Sequence, residues 1–131
     1  MANLVYPSAG VLFLTAGMNV SSATINAMIV DAADYTYSSA HDFVDDVPSG
    51  ARVASGTLAS KTTTGGTFDA ADLVLSTVTG DPTEEIIVWE ADGAESAQSL
   101  LLRWDTSVSV TPNGGNITIQ WNASGLYDIT P

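Results

Sequence analysis

The first question for this sequence is whether its few reactive side chains are spaced to act together. His41 is the only histidine, with Ser38, Ser39 and Asp42 as its neighbours along the chain. A nucleophile and base pair needs the imidazole beside a hydroxyl and oriented by an acid. Residues this close in sequence seldom face one another that way, and no Gly-x-Ser-x-Gly elbow presents a serine on a strand-to-helix turn. His41 is therefore expected to fix a loop by hydrogen bonding. Asp42, Asp45 and Asp46 crowd the same stretch, and Asp31 and Asp34 lie just before it. Calcium prefers carboxylates clustered on a loop, yet the spacing of an EF-hand is absent. The expected role is a solvated acidic loop with side chain to backbone bonds. Glu84, Glu85 and Glu90 would serve as the paired acids of glycoside cleavage if Trp89, Trp104 and Trp121 lined a sugar cleft. On strands, tryptophans belong more often to a core or an interface. Gly65-Gly66 and Gly114-Gly115 lack the lysine and following helix of a phosphate loop. The residues thus point to no catalytic centre, cofactor or metal site, and the chain is expected not to be an enzyme.

The elements that would position these groups read as strands. Thr24 to Val30 alternates and then turns wholly apolar, as a strand entering a two-sided core does, and Asp31 ends it. Arg52 to Leu58 and Thr62 to Thr64 favour strands, and Gly65-Gly66 is a turn. Thr67 to Thr79 resumes strand character with a kink at Asp69 to Asp72. Glu85 to Glu90, Ser99 to Asp105, Ile117 to Trp121 and Leu126 to Ile129 are short runs separated by Gly, Pro, Asn and Asp. Pro112-Asn113-Gly114-Gly115 is the sharpest turn signal, and the alternation of Ile117, Ile119 and Trp121 behind it buries one face. Ser38 or Ser39 would cap a short helical turn through His41 to Val44. Val11 to Leu14 is an apolar run bracketed by Gly10 and Gly17, read as a strand or a partner-binding arm. The fold class is all-β: an antiparallel β-sandwich or barrel with a short helical turn in the 38–47 loop. Residues 1–20 form an N-terminal arm or first strand, and 21–131 a single β domain.

Composition limits what such a domain would bind. Fifteen acids face Arg52, Lys61 and Arg103, for a formal net charge of −12. Affinity for phosphate comes from lysine and arginine displacing counterions, so nucleic acid and anionic membrane are disfavoured and neutral or basic partners favoured. Charged residues make up 14 % of the chain against roughly 25 % in an ordinary soluble domain. Such a surface leans on Ser, Thr, Asn and Gly, as it would where partners cover part of it. With no cysteine, disulfides and thiolate metal sites drop out and packing or assembly must supply stability. No basic region precedes Val11 to Leu14, a run too short for a membrane span or signal peptide. The expected origin is the cytosol, and the sequons at Asn19, Asn116 and Asn122 are chance tripeptides.

Three stretches carry a resemblance. They are Met28 to Asp31 leading through Tyr35 to His41-Asp42-Phe43-Val44-Asp45-Asp46-Val47; Lys61-Thr62 followed by Phe68 to Asp72; and Thr111 to Gly115 with Ile117 to Trp121. In this order and spacing, from about residue 24 onward, they resemble a family of small virion structural proteins of tailed bacteriophages. Residues 2 to 20 depart from that pattern in being more apolar and glycine-containing, and the last strand departs in ending Asp128-Ile129-Thr130-Pro131.

The resemblance implies a virion component, made in the host cytoplasm, more than any one location on the particle; the capsid surface is the expected place. The leading expectation is a capsid cement (decoration) protein that binds the major capsid protein and itself, as a homotrimer, and stabilises the head by closing a set of contacts. The partner-binding residues would be Leu4, Val5, Tyr6, Val11, Leu12, Phe13 and Leu14, since an extended apolar segment can add to an exposed sheet edge. A first strand of the chain's own sheet is the alternative for that segment. For function, the alternative is a tail or fibre component that binds host-surface carbohydrate through Tyr35, Tyr37 and the tryptophans. Behind it stands a glycan-cleaving enzyme.

Overall fold

The computed structural model describes residues 4 to 128. Ile25–Val30 (β2) and Glu85–Glu90 (β6) are its central strands, paired antiparallel from Ile25 opposite Glu90 to Val30 opposite Glu85. Arg52–Thr57 (β3) flanks β2, Leu100–Trp104 (β7) flanks β6, and Leu4–Val5 (β1) adds to the outer edge of β7. The result is a five-stranded antiparallel sheet in the order β1-β7-β6-β2-β3. Two ribbons complete the strands: Thr67–Phe68 (β4) with Tyr127–Asp128 (β9), and Leu73–Leu75 (β5) with Ile117–Ile119 (β8). The all-β, antiparallel class expected from the sequence is the class observed. In place of a full second sheet, the facing layer consists of these two short ribbons.

Register explains why β2 and β6 are nearly continuous in apolar residues. Directly opposed residues share a face, so Ala27, Ile29, Ile86, Val88, Leu102 and Trp104 lie on one side. Gly56 and Ala54 of β3 join that side, and Gly56 leaves the space against which Leu73 and Leu75 of β5 pack. Met28, Val30, Glu85, Ile87 and Arg103 occupy the other side. There the segment 31–51 covers the sheet, with Tyr35, Val44, Val47 and Ala51 buried in the common core. A strand covered on both faces has no polar side to show. Asp31 ends β2 by turning its carboxylate back to accept the Ala33 N–H at 2.8 Å.

A helical turn does lie in 38–47, as a 3-10 turn at Val44–Asp46 preceded by Phe43, where the sequence predicts one through His41 to Val44 capped by Ser38 or Ser39. Asp46 Oδ2 accepts the N–H groups of Asp42 and Phe43 at 2.9 and 3.3 Å. Partial burial works against ionisation of Asp46, but these two backbone bonds together outweigh it and hold its carboxyl below the usual range.

The largest departure from the sequence reading is at the N-terminus. Residues Pro7–Leu14 form an α-helix (α1), where Val11 to Leu14 is expected to be a strand or an extended arm. Pro7 starts it without wasting a donor, because the first N–H groups of a helix have no internal partner. Thr15 closes it by returning both its N–H and its hydroxyl to the Val11 carbonyl. Gly10 is a helical residue and not turn punctuation. The expected strand at Leu126 to Ile129 is β9, with Ile129 outside the described residues, as is Met1 to Asn3 of the expected arm.

Candidate functional site

The residues from Leu4 to Leu14 are positioned by the β7 edge. Leu4 and Val5 pair with Arg103 and Leu102, and the Tyr6 N–H continues the ladder to the Leu101 carbonyl at 3.0 Å. Strand addition, expected toward a partner, is used within the chain. The neighbours of α1 come from two directions: Asp42, Phe43 and Ser99 beside Ser8, Val11 and Leu12, and Phe68 and Tyr127 beside Phe13. Phe13 stacks on Tyr127 with ring centres 5.6 Å apart, and Ala9 is fully buried. Val11 and Leu14 point outward, 60 % and 90 % exposed. Shallow apolar clefts of about 290 and 260 Å3 lie on either side of the helix.

Of the seven expected contact residues, Leu4, Val5, Leu12 and Phe13 are half-buried and Val11 and Leu14 are open. Tyr6 is corrected: it is wholly buried and has no surface to give a partner. Its hydroxyl lies 3.0 Å from that of Tyr35, which lies 3.0 Å from His41 Nδ1, and its ring meets Tyr37 edge-on. Burial above all pushes the Tyr6 and Tyr35 hydroxyls up from the ordinary tyrosine range. His41 thus has the loop-fixing bond expected of it. The Ser38 hydroxyl serves its own loop by accepting the Ala40 N–H.

Behind Tyr37 lies the one buried ion pair among the described residues. Arg103 Nε and Nη2 reach Glu85 at 2.9 and 2.8 Å as a two-pronged bridge, Nη1 reaches Asp105 at 2.9 Å, and the guanidinium sits 5.0 Å from the Tyr37 ring centre. The bonds to Glu85 push the Arg103 guanidinium above its ordinary value, against the pull of burial. Sequence reading placed Glu85 among possible paired acids and missed its partner; the cue was an acid and a base on adjacent apolar runs. Arg52 bonds Glu95 and the carbonyls of Val44 and Val47, and Lys61 bonds the Ala23 carbonyl. All three cations are thereby engaged within the chain.

The two acidic groups weighed as calcium ligands fare differently. Asp46 is occupied by backbone N–H groups, while Asp31 and Asp34 are joined by Asp81, their carboxylates within 4.8 Å of one another. Asp81 had no signal in the sequence, because it arrives from the turn before β6.

The tryptophans divide. Trp89 is buried and donates to Gln98 at 3.0 Å. Trp104 and Trp121 are half-buried side by side, ring centres 5.3 Å apart and planes inclined by 40°, in a cleft of about 340 Å3. No protein-family model matches this chain, and no curated protein matches it closely enough to indicate kinship.

Proposed function

We propose that this chain is a virion structural protein, a capsid cement that binds the outer lattice of the major capsid protein and its own copies as a homotrimer. The outward face of α1 carries the reading. The helix Pro7–Leu14 has no charged residue and Ser8 as its single polar side chain, yet Leu14 and Val11 stand in water. A helix apolar on nearly every side is normally covered on every side, and the two flanking clefts extend that apolar strip. The charge of −12 adds selectivity, since it repels packaged DNA and favours a basic capsid patch.

The test is to add purified protein to DNA-free heads that lack it. Co-sedimentation with the heads and a rise of several degrees in their melting temperature are expected, because a ligand of the assembled state stabilises that state. The double variant Val11→Ser/Leu14→Ser should fold normally, since exposed substitutions change stability by about 0.5 kcal/mol or less, and should no longer sediment with the heads. Failure of the unaltered protein to bind, or full binding by the double variant, overturns the proposal.

A further inference from the structure

We infer that the cleft between Trp104 and Trp121 is a binding site for a neutral carbohydrate. Two half-exposed indoles packed together are costly to leave in water, and the contrast with Trp89, buried and hydrogen-bonded to Gln98, shows what an ordinary core tryptophan looks like in this chain. The Trp121 ring is held in place. Its backbone N–H donates to Asp72 Oδ1 at 3.0 Å and its indole N–H to the Ala71 carbonyl at 3.2 Å, so the polar edge is anchored on the β5 side while the ring lines the cleft. The Trp121 ring therefore needs no ordering on binding.

The rest of the lining selects the ligand class. Ser107, Gln120 and Asn122 bring a hydroxyl and two carboxamides to the walls, Ile86 and Ile119 form apolar floor, and no lining residue is charged. In a chain with fifteen acids, the walls of this cleft carry none. A charged ligand would lose its hydration and meet no countercharge. A purely apolar ligand would strip water from the hydroxyl and amide groups without replacing it. A pyranose ring meets both demands, with a face of C–H groups for the indoles and a rim of hydroxyls for the amides. About 340 Å3 falls at the lower end of the range of small-ligand sites and accommodates a short saccharide. The inference does not rest on the capsid reading, which concerns a different surface.

The test is titration of the full chain with maltotriose, cellotriose, mannotriose, tri-N-acetylchitotriose and lactose, up to about 20 mM, the range where weak single-site binding saturates. Tryptophan fluorescence and the indole N–H signals in an amide-correlation spectrum report the outcome. At least one sugar should bind saturably, moving the indole signals of Trp104 and Trp121 and leaving that of Trp89 in place. Trp104→Ala and Trp121→Ala should each weaken it about tenfold, the scale of one lost aromatic contact, and Gln120→Ala about threefold. Should the tryptophan variants unfold, the exposed Gln120→Ala and the indole shifts still decide. Val11→Ser/Leu14→Ser should bind sugar unchanged, so failure here and failure on capsids are read separately. Absence of any binding, or binding that shifts Trp89 alone, overturns the inference.

Discussion

The two faces of the five-stranded sheet are covered by different means. On the side of Met28, Ile87 and Arg103, polar bonds hold the sheet and the segment 31–51 over it: Glu85 to Arg103, Arg103 against Tyr37, Tyr6 to Tyr35 to His41, and Arg52 to the carbonyls of Val44 and Val47. On the side of Ile86 and Trp104, two short ribbons meet the sheet through Leu73, Leu75, Ile119 and Leu126, and their bonds are mostly backbone pairs. A two-stranded ribbon is marginal by itself and depends on what it packs against. The polar face therefore has a specified geometry that is expensive to break, while the ribbon face leaves a cleft and is free to open locally.

The largest expected effect comes from the buried charge. Arg103→Met would strand Glu85, 5 % exposed, without its cation, at a cost of about 3–5 kcal/mol out of the 5–15 kcal/mol that holds a domain of this size. Glu85→Leu together with Arg103→Met should recover most of that loss, because the pair itself contributes little once its desolvation is counted. Denaturant unfolding of the two variants checks this. A cost near 1 kcal/mol for the single variant would erase the contrast between the faces.

A break on the ribbon face should be smaller and local. Gly125 has φ +87, and a Cβ there would lie 2.5 Å from Thr67 Cγ2 and 2.8 Å from the Phe68 carbonyl oxygen. Gly125→Ala is expected to cost about 2 kcal/mol, from the left-handed backbone and the clash together. Hydrogen exchange should show β4 and β9 losing protection while β2 and β6 keep theirs. Uniform loss across the sheet would mean that the ribbons and sheet unfold as one unit.

Legibility in the sequence follows the same division. Local signals identified β2, β6 and β7, because apolar runs and turn residues act within a few positions: Asp31 ends β2, and Asp69 to Asp72 separates β4 from β5. The helix α1 was hidden. Its sequence has a central glycine and no side-chain cap, and its short length is sustained by packing of Ala9 and Phe13, with only Pro7 as a local cue. The polar centre was illegible for another reason. Tyr6 and Tyr35 are 29 positions apart, and Glu85 and Arg103 18, so each meeting depends on strand register that composition does not carry. The tryptophans were half-legible: the expected core role holds for Trp89, but nothing in the sequence showed that Trp104 and Trp121 would meet at the surface.

The polar face also carries two titrating groups, Tyr6 and Asp46, with smaller expected effects. Tyr6→Phe removes the bond to Tyr35 and should cost about 1–1.5 kcal/mol at pH 7. The folded-state value of Tyr6 is raised above its ordinary value near 10. The folded chain therefore holds that proton while the unfolded chain releases it, and stability present below pH 10 is lost as pH climbs past it. Phenylalanine has no such loss, so the deficit should shrink by about 1.4 kcal/mol per pH unit above 10 and vanish near pH 11 in thermal melts.

Asp46→Ala acts at the other end of the scale. Removing its bonds to the Asp42 and Phe43 N–H groups should cost about 1 kcal/mol at neutral pH, as loss of a cap does. Asp46 is depressed in the folded state, so its contribution is present above the ordinary carboxyl range and lost as pH falls through it. The gap between variant and parent should therefore be full at pH 7 and close by pH 2. A gap constant across that range would mean that the neutral acid serves the loop as well as the carboxylate does, and that the 38–47 turn is held by Val44 and Val47 in the core instead.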